Sequence, residues 1–221
     1  MKTGITFKVG DKTYHSFTSF GLRMLANVDI PMPEPQLHII SDIKGMDGHI
    51  DVTGSFGKLR YKNRTVTMRF DHQDGSYDEW CELCSDIANA VHGRFGSVIL
   101  DVDPDYYYEG RIMVIPEVKE DIIMSDLTIT IDAFPYKISV ADGTWSGYVS
   151  NGTTVALGND SMPSSPTVTT DAKITVKISD NDPETLDAGT HQMDSELAEG
   201  NNAVKITGTA NVSIQWRKGR L

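Results

Sequence analysis

The chain has 221 residues, 39% hydrophobic and 23% charged, enough apolar material for one large or two modest domains and too much for wholesale disorder. Its 31 acidic against 20 basic residues leave a net charge of −11, which repels a phosphate backbone and excludes sequence-independent nucleic-acid binding. No stretch reaches the roughly 18 apolar residues of a spanning helix, and Met1 to Tyr14 lacks the pattern of a secretion signal, so a soluble product made in the cytoplasm is expected.

Period-two alternation dominates the pattern, as it does where one face of a strand is buried and the other wetted. Ile5 to Val9 and Thr13 to Tyr14 flank Gly10 and Asp11, a turn pair that predicts a hairpin. Pro31, Pro33 and Pro35 stop regular pairing and mark a crossing or an extended arm. The extended stretch Gln36 to Ile43 is closed by Lys44 to Gly48, and the glycines between Gly54 and Leu59 suggest a mobile loop or arm. Val66, Met68 and Phe70 alternate with Thr65, Thr67 and Arg69 as a half-buried strand.

One segment breaks this period. Ser76 and Glu79 have the spacing of a capping box, and Gly93 is a stop. Between them Tyr77, Trp80, Cys84, Ile87 and Val91 recur at steps of three and four, with Asp78, Glu82, Ser85 and Asp86 opposite, predicting an amphipathic helix over about 77–92. Alternation resumes at Leu127, Ile129, Ile131 and Ala133, at Ile174, Val176 and Ile178, and at Val212, Ile214 and Trp216. After Phe134, Pro135 and Tyr136 the composition shifts to Gly, Ser, Thr, Asn and Asp, which places a boundary near residue 138. The expected fold is mainly β: residues 1–137 as a β-barrel or sandwich with one helix, and 138–221 as a small β-sandwich.

The chemistry-bearing residue types assemble into no recognisable site. Cys81 and Cys84 form a Cys-x-x-Cys, but two further zinc ligands are missing and both thiols fall inside the predicted helix, so packing is the expected role. Asp101, Asp103 and Asp105 open like a calcium loop, whose sixth and twelfth positions are here Tyr106 and Ile112 instead of Gly and Glu. Asp180, Asp182 and Glu184 form a second acidic turn. His191, Asp194 and Ser195 are triad residue types crowded into one polar segment, where adjacency in sequence says little about catalytic geometry. No phosphate-binding loop, dinucleotide fingerprint or nucleophile elbow occurs, so neither an enzyme, a cofactor nor a metal is expected. Asn63, Asn151, Asn159 and Asn211 stand in sequons, which matter only on a secretory route. Tyr106, Tyr107 and Tyr108 either show tyrosine to an interface or cap the sheet edge; Trp145 and Tyr148 are further candidate interface residues.

Six stretches in a fixed order resemble the distal tail proteins of long, non-contractile-tailed (siphovirus-type) bacteriophages, chiefly those infecting Gram-positive hosts. They are Ile5 to Phe7 with Ser19, Phe20, Gly21 and Leu22; Gly45 to Asp51; Tyr61 to Phe70; the Trp-bearing helix Tyr77 to His92; Leu100 to Gly110; and Ile129 to Tyr136. More faintly, Leu197, Glu199, Gly200, Asn202 and Val204 resemble a turn of that family's outer, galectin-like sandwich, here shortened, with Glu199 where proline is usual.

The resemblance implies a structural protein of the virion tail, assembled in the host cytoplasm. Six copies would form a ring between the tail tube protein and the tail-tip or baseplate hub, with receptor-binding proteins as possible further partners. The first domain would line a channel through which DNA passes without specific binding, and no membrane partner is implied. A competing reading is a carbohydrate-binding β-sandwich that recognises a host wall glycan through Trp145 or Tyr148. A redox or metal enzyme built on Cys81 and Cys84 is the third.

Overall fold

A computed structural model describes residues 4–25, 28–41, 43–72, 76–116 and 125–221. These form two compact units, Met1–Pro135 and Tyr136–Leu221, each with its own core. The fold is mainly β, with one long helix.

Seven strands of the first unit make one antiparallel sheet: β1 (Ile5–Val9), β2 (Lys12–His15), β3 (Arg23–Met24), β6 (Arg64–His72), β7 (Phe95–Leu100), β8 (Asp103–Pro116) and β9 (Ser125–Ala133). They are ordered β2-β1-β7-β8-β9-β6-β3. Held flat at about 4.8 Å per strand, this sheet would keep its edges β2 and β3 about 29 Å apart. The chain from His15 to Arg23 crosses between those edges through a five-residue helix, α1 (Ser16–Phe20), and reaches only about 18 Å. The sheet therefore curls until its edges approach each other across α1.

Alternation decides which side chains line the inside of the curl. Val66, Met68 and Phe70 on β6 pair with Ile131, Ile129 and Leu127 on β9, and all six are fully buried. At about 1.5–3 kcal/mol for each large apolar side chain buried, this doubled row is a main prop of the unit. The long helix α2 (Tyr77–Val91) lays Trp80, Cys84, Ile87 and Val91 into the same core. Its capping box is formed: the Ser76 amide donates to Glu79 Oε2 at 2.6 Å, and the Glu79 amide to Ser76 Oγ at 3.4 Å. The predicted stripe loses one member, because Tyr77 in the first turn is 52% exposed.

The short helix α1 carries no helical period that sequence could show. His15 caps it, its Nδ1 accepting the Phe17 and Thr18 amides, and Gly21 closes it at φ +68°. With Nδ1 accepting, the ring proton sits on Nε2, which donates to Asp101 Oδ2 at 3.2 Å.

Between β3 and β6 the chain leaves the sheet as an arm. Pro35 bridges Tyr61, the Gln36 amide donates to Arg60 O, and the Lys62 amide to Glu34 O. Further out β4 (Ile39–Ile40) pairs with β5 (Ile50–Asp51) in a two-stranded ribbon. Of the extended stretch 36–43, Asp42 lies outside the described residues.

The second unit is a sandwich of two four-stranded antiparallel sheets. One is ordered β11 (Gly143–Ser150), β18 (Thr209–Trp216), β13 (Thr167–Thr170), β16 (Gly189–Gln192). The other is β12 (Thr153–Asn159), β17 (Gly200–Thr207), β14 (Ile174–Ile178), β15 (Glu184–Leu186). A short pair, β10 (Lys137–Ser139) with β19 (Gly219–Arg220), lies outside these two sheets. Ile174, Val176 and Ile178 from one sheet meet Val212, Ile214 and Trp216 from the other in a single core. The chain crosses between sheets at Asn151-Gly152 and again at Gly208, where the Asn151 amide donates to Gly208 O at 2.7 Å. All three residues have positive φ, the conformation these corners require.

Candidate interface surfaces

The tyrosine run lies on β8 beside an irregularity: Ile99 pairs with Tyr107, but Leu100 pairs with Asp103, so residues 104–106 bulge from the ladder. Tyr106 and Tyr107 are half-buried there. Tyr108, expected as a candidate interface residue, is only 4% exposed and belongs to the core. The Arg64 guanidinium covers its ring at 5.1 Å from the centroid. Burial pushes the Arg64 pKa down, and the nearby Tyr108 opposes that shift.

Trp145 and Tyr148 also part company. Trp145 lies against Gly147 on its own strand and packs on the core of the sandwich. Tyr148 points outward, 67% exposed, beside a shallow cleft of about 540 Å³ whose walls include Ser146, Thr169, Asp171, Asn211 and Ser213. Both Asp171 oxygens are engaged by Asn211, from its side-chain amide at 2.7 Å and its backbone amide at 2.8 Å. These bonds hold the Asp171 carboxyl below its ordinary pKa. The Asp171 carboxylate is thus tied to Asn211 in the wall of the cleft.

The other chemistry-bearing residues have structural employment. Cys84 is buried in the core, and burial together with the neighbouring Cys81 pushes its thiol up to about 11. Asp101 ties the β7–β8 turn to the first hairpin, accepting the Gly4 amide at 2.8 Å as well as the His15 contact. His191 reaches Asp187 O, while the Asp194 and Ser195 amides both donate to Glu184. Although burial pushes Glu184 up, the Ser195 hydroxyl and these two amides bring it below the ordinary value. Among the described residues no three His, Cys, Asp or Glu side chains converge as a metal site would require. No described helix is long and apolar enough to cross a membrane.

With both cores and the helix in place, the whole architecture can be set against solved structures. Aligned over 98% of this chain and 99% of the other, with a TM-score of 0.69 at 13% identity, is the crystal structure of the phage SPP1 Dit (gp 19.1) protein. The two proteins share a fold. Dit is described there as a paradigm of the hub adsorption apparatus in phages that infect Gram-positive bacteria. No family model matches the sequence, and no curated protein does. That contrast is physical: the sheet order survives when few side chains are kept, because each strand needs only an apolar inward face.

The faint C-terminal match now has a mechanism within the Dit-like fold. Gly200 turns the chain at φ +88°. Asn202, 3% exposed, accepts the Ala198 amide and donates to Ala198 O, both at 2.8 Å, and to Gly200 O at 3.2 Å. One asparagine closes the turn into β17, and Leu197, fully buried, anchors it.

Sequence reasoning missed the Arg64–Tyr108 pair and the arm's exposed ribbon. Period two puts Arg64 on the same inward face of β6 as Val66, Met68 and Phe70, but that an aromatic ring waits there is decided by Tyr108, distant in sequence.

Proposed function

We propose that the protein is a structural component of a bacteriophage tail tip, six copies of which form a ring joining the tail tube to the tail-tip hub. The observation that carries this reading is the end-to-end match of fold to the SPP1 Dit protein. In this reading residues 1–137 make the ring and 138–221 face outward, where receptor-binding proteins dock. The net charge of −11 supports a channel along which DNA slides without adhering. The protein performs no chemistry; it is assembled in the host cytoplasm and resides in the virion tail.

The test is the absolute mass of the purified chain over a wide concentration range, with electron microscopy of the largest species. A closed ring of six with a central channel is expected. A strict monomer at the highest concentrations overturns the reading.

Exposed Tyr148 beside the shallow cleft favours a second reading, a carbohydrate-binding face on the sandwich. Loss of binding to host wall glycan on Tyr148→Ala would favour it; no glycan binding by the intact chain disposes of it.

A further inference from the structure

Cys81 and Cys84 are the only cysteines of the chain, and both stand in α2, three positions apart. Helix geometry sets two Cα atoms at that spacing about 5 Å from each other. This lies inside the range of about 4.4–6.8 Å that a disulfide spans. The Cβ atoms are less well matched, at about 5–6 Å in a helix against about 3.5–4.5 Å in a disulfide. Closing the bond therefore tightens the turn toward the 3₁₀ form, in which positions i and i+3 eclipse.

This turn is built to give. The Ser85 hydroxyl donates to the Cys81 carbonyl at 2.9 Å, a back-bond of the kind that bends helices. Asp78, Glu82 and Asp86, exposed at four-residue steps on the outer face, weaken the same stretch by like-charge repulsion. The two sulfurs also differ in access. Cys81 is half-buried, whereas Cys84 lies in the core with Trp80, one turn before it. With its thiol pushed up to about 11, Cys84 stays protonated near neutral pH, so the first attack falls to Cys81.

We propose that Cys81 and Cys84 form a reversible dithiol–disulfide switch, closed by a small-molecule disulfide and opened by a thiol, which tightens one turn of α2 against the core. The Cys81 thiolate attacks one sulfur of the small disulfide, and the other sulfur leaves as a thiolate. Cys84 then attacks Cys81 Sγ and displaces the second thiolate. Two S–H bonds of the chain are lost and one S–S bond forms; the small disulfide is reduced to two thiols, which take up the two protons. A disulfide strained by its helix belongs to the labile class that thiols reopen. In the virion tail, a placement that rests on the reading above, the pair would close once outside the reducing cytoplasm.

The test treats the folded full chain with excess bis(2-hydroxyethyl) disulfide, an uncharged probe that the acidic stripe does not repel, and follows folding by circular dichroism. Both thiols should disappear, the mass should fall by two hydrogens, and peptide mapping should join Cys81 to Cys84. Added 2-mercaptoethanol should restore both thiols. Cys84→Ser should stop at a mixed disulfide on Cys81, and Cys81→Ser should not react in the folded state. Because the wild-type peptide map is decisive, a variant that fails to fold leaves the test intact. Thiols that persist in the folded wild type, a mixed disulfide on Cys81 that never resolves, a bond between two chains, or a disulfide that the thiol does not reopen would each overturn the switch. None of these outcomes bears on the ring, which the assembled mass tests separately.

Discussion

The guanidinium of Arg64 lies over the ring of Tyr108, 5.1 Å from its centroid, with Nε and Nη2 buried and without hydrogen-bond partners. A cation so placed has given up water and recovers part of that cost from the aromatic face. In a double-mutant cycle in urea, Arg64→Met and Tyr108→Leu should show a coupling of about 1 kcal/mol. Tyr108→Leu alone should be the more damaging, because it strands the buried charge, and it should cost less once Arg64 is methionine. Strictly additive effects would mean that the stacking contributes nothing.

The two cysteines should differ in reactivity. Cys84 is buried with its thiol pushed up to about 11, whereas Cys81 is half-buried on the helix. Near neutral pH, iodoacetamide should label Cys81 first in the folded protein and leave Cys84 intact, and should label both in denaturant. Equal labelling of both in the folded state, read by peptide mass, would contradict the packing.

Removing the helix cap should have a measurable and pH-dependent effect. Ser76→Ala deprives the Glu79 amide of its acceptor and should cost about 1 kcal/mol in urea unfolding at neutral pH. The Ser76 backbone amide and hydroxyl hold the Glu79 carboxyl below its ordinary pKa. A depressed carboxylate contributes stability that is fully present above its unfolded value of about 4.3 and fades as pH falls through the lower folded value. The penalty of Ser76→Ala should therefore shrink on acidification below that window. A penalty that grows there would reverse the assignment.

Asn202→Ala should destabilise the second unit by about 2–3 kcal/mol, since it leaves the Ala198 amide and two carbonyls without their buried partner. Asn202→Asp, which keeps the acceptor but loses the donors, should also be damaging. In a Trp80→Phe background the remaining Trp145 and Trp216 fluorescence reports this unit during unfolding, and wild-type stability in either variant would contradict the turn.

Much of this architecture was legible locally. Alternation in Val66–Phe70 and Leu127–Ala133 sufficed for the strands, because a pleated backbone sends neighbouring residues to opposite faces wherever it lies. Ser76, Glu79 and Gly93 sufficed for the ends of α2, because capping satisfies amides within one turn of the chain. Helix α1 stayed hidden, since five residues are too few for a period and its cap is a histidine held by Asp101, distant in sequence.

Function-bearing surfaces were legible only as residue types. Tyr106, Tyr107 and Tyr108 look alike in sequence, yet a bulge and the Arg64 side chain send the last of them into the core. Trp145 and Tyr148 are three apart on one strand, so period two alone directs one inward and the other out. What the sequence determined by itself was the long helix, the alternating strands and the residues these must bury, which depend on neighbours a few positions away. Tertiary structure alone decided the sheet order, its curl around α1 and the exposure of the arm, because these follow from pairings between residues up to about a hundred positions apart.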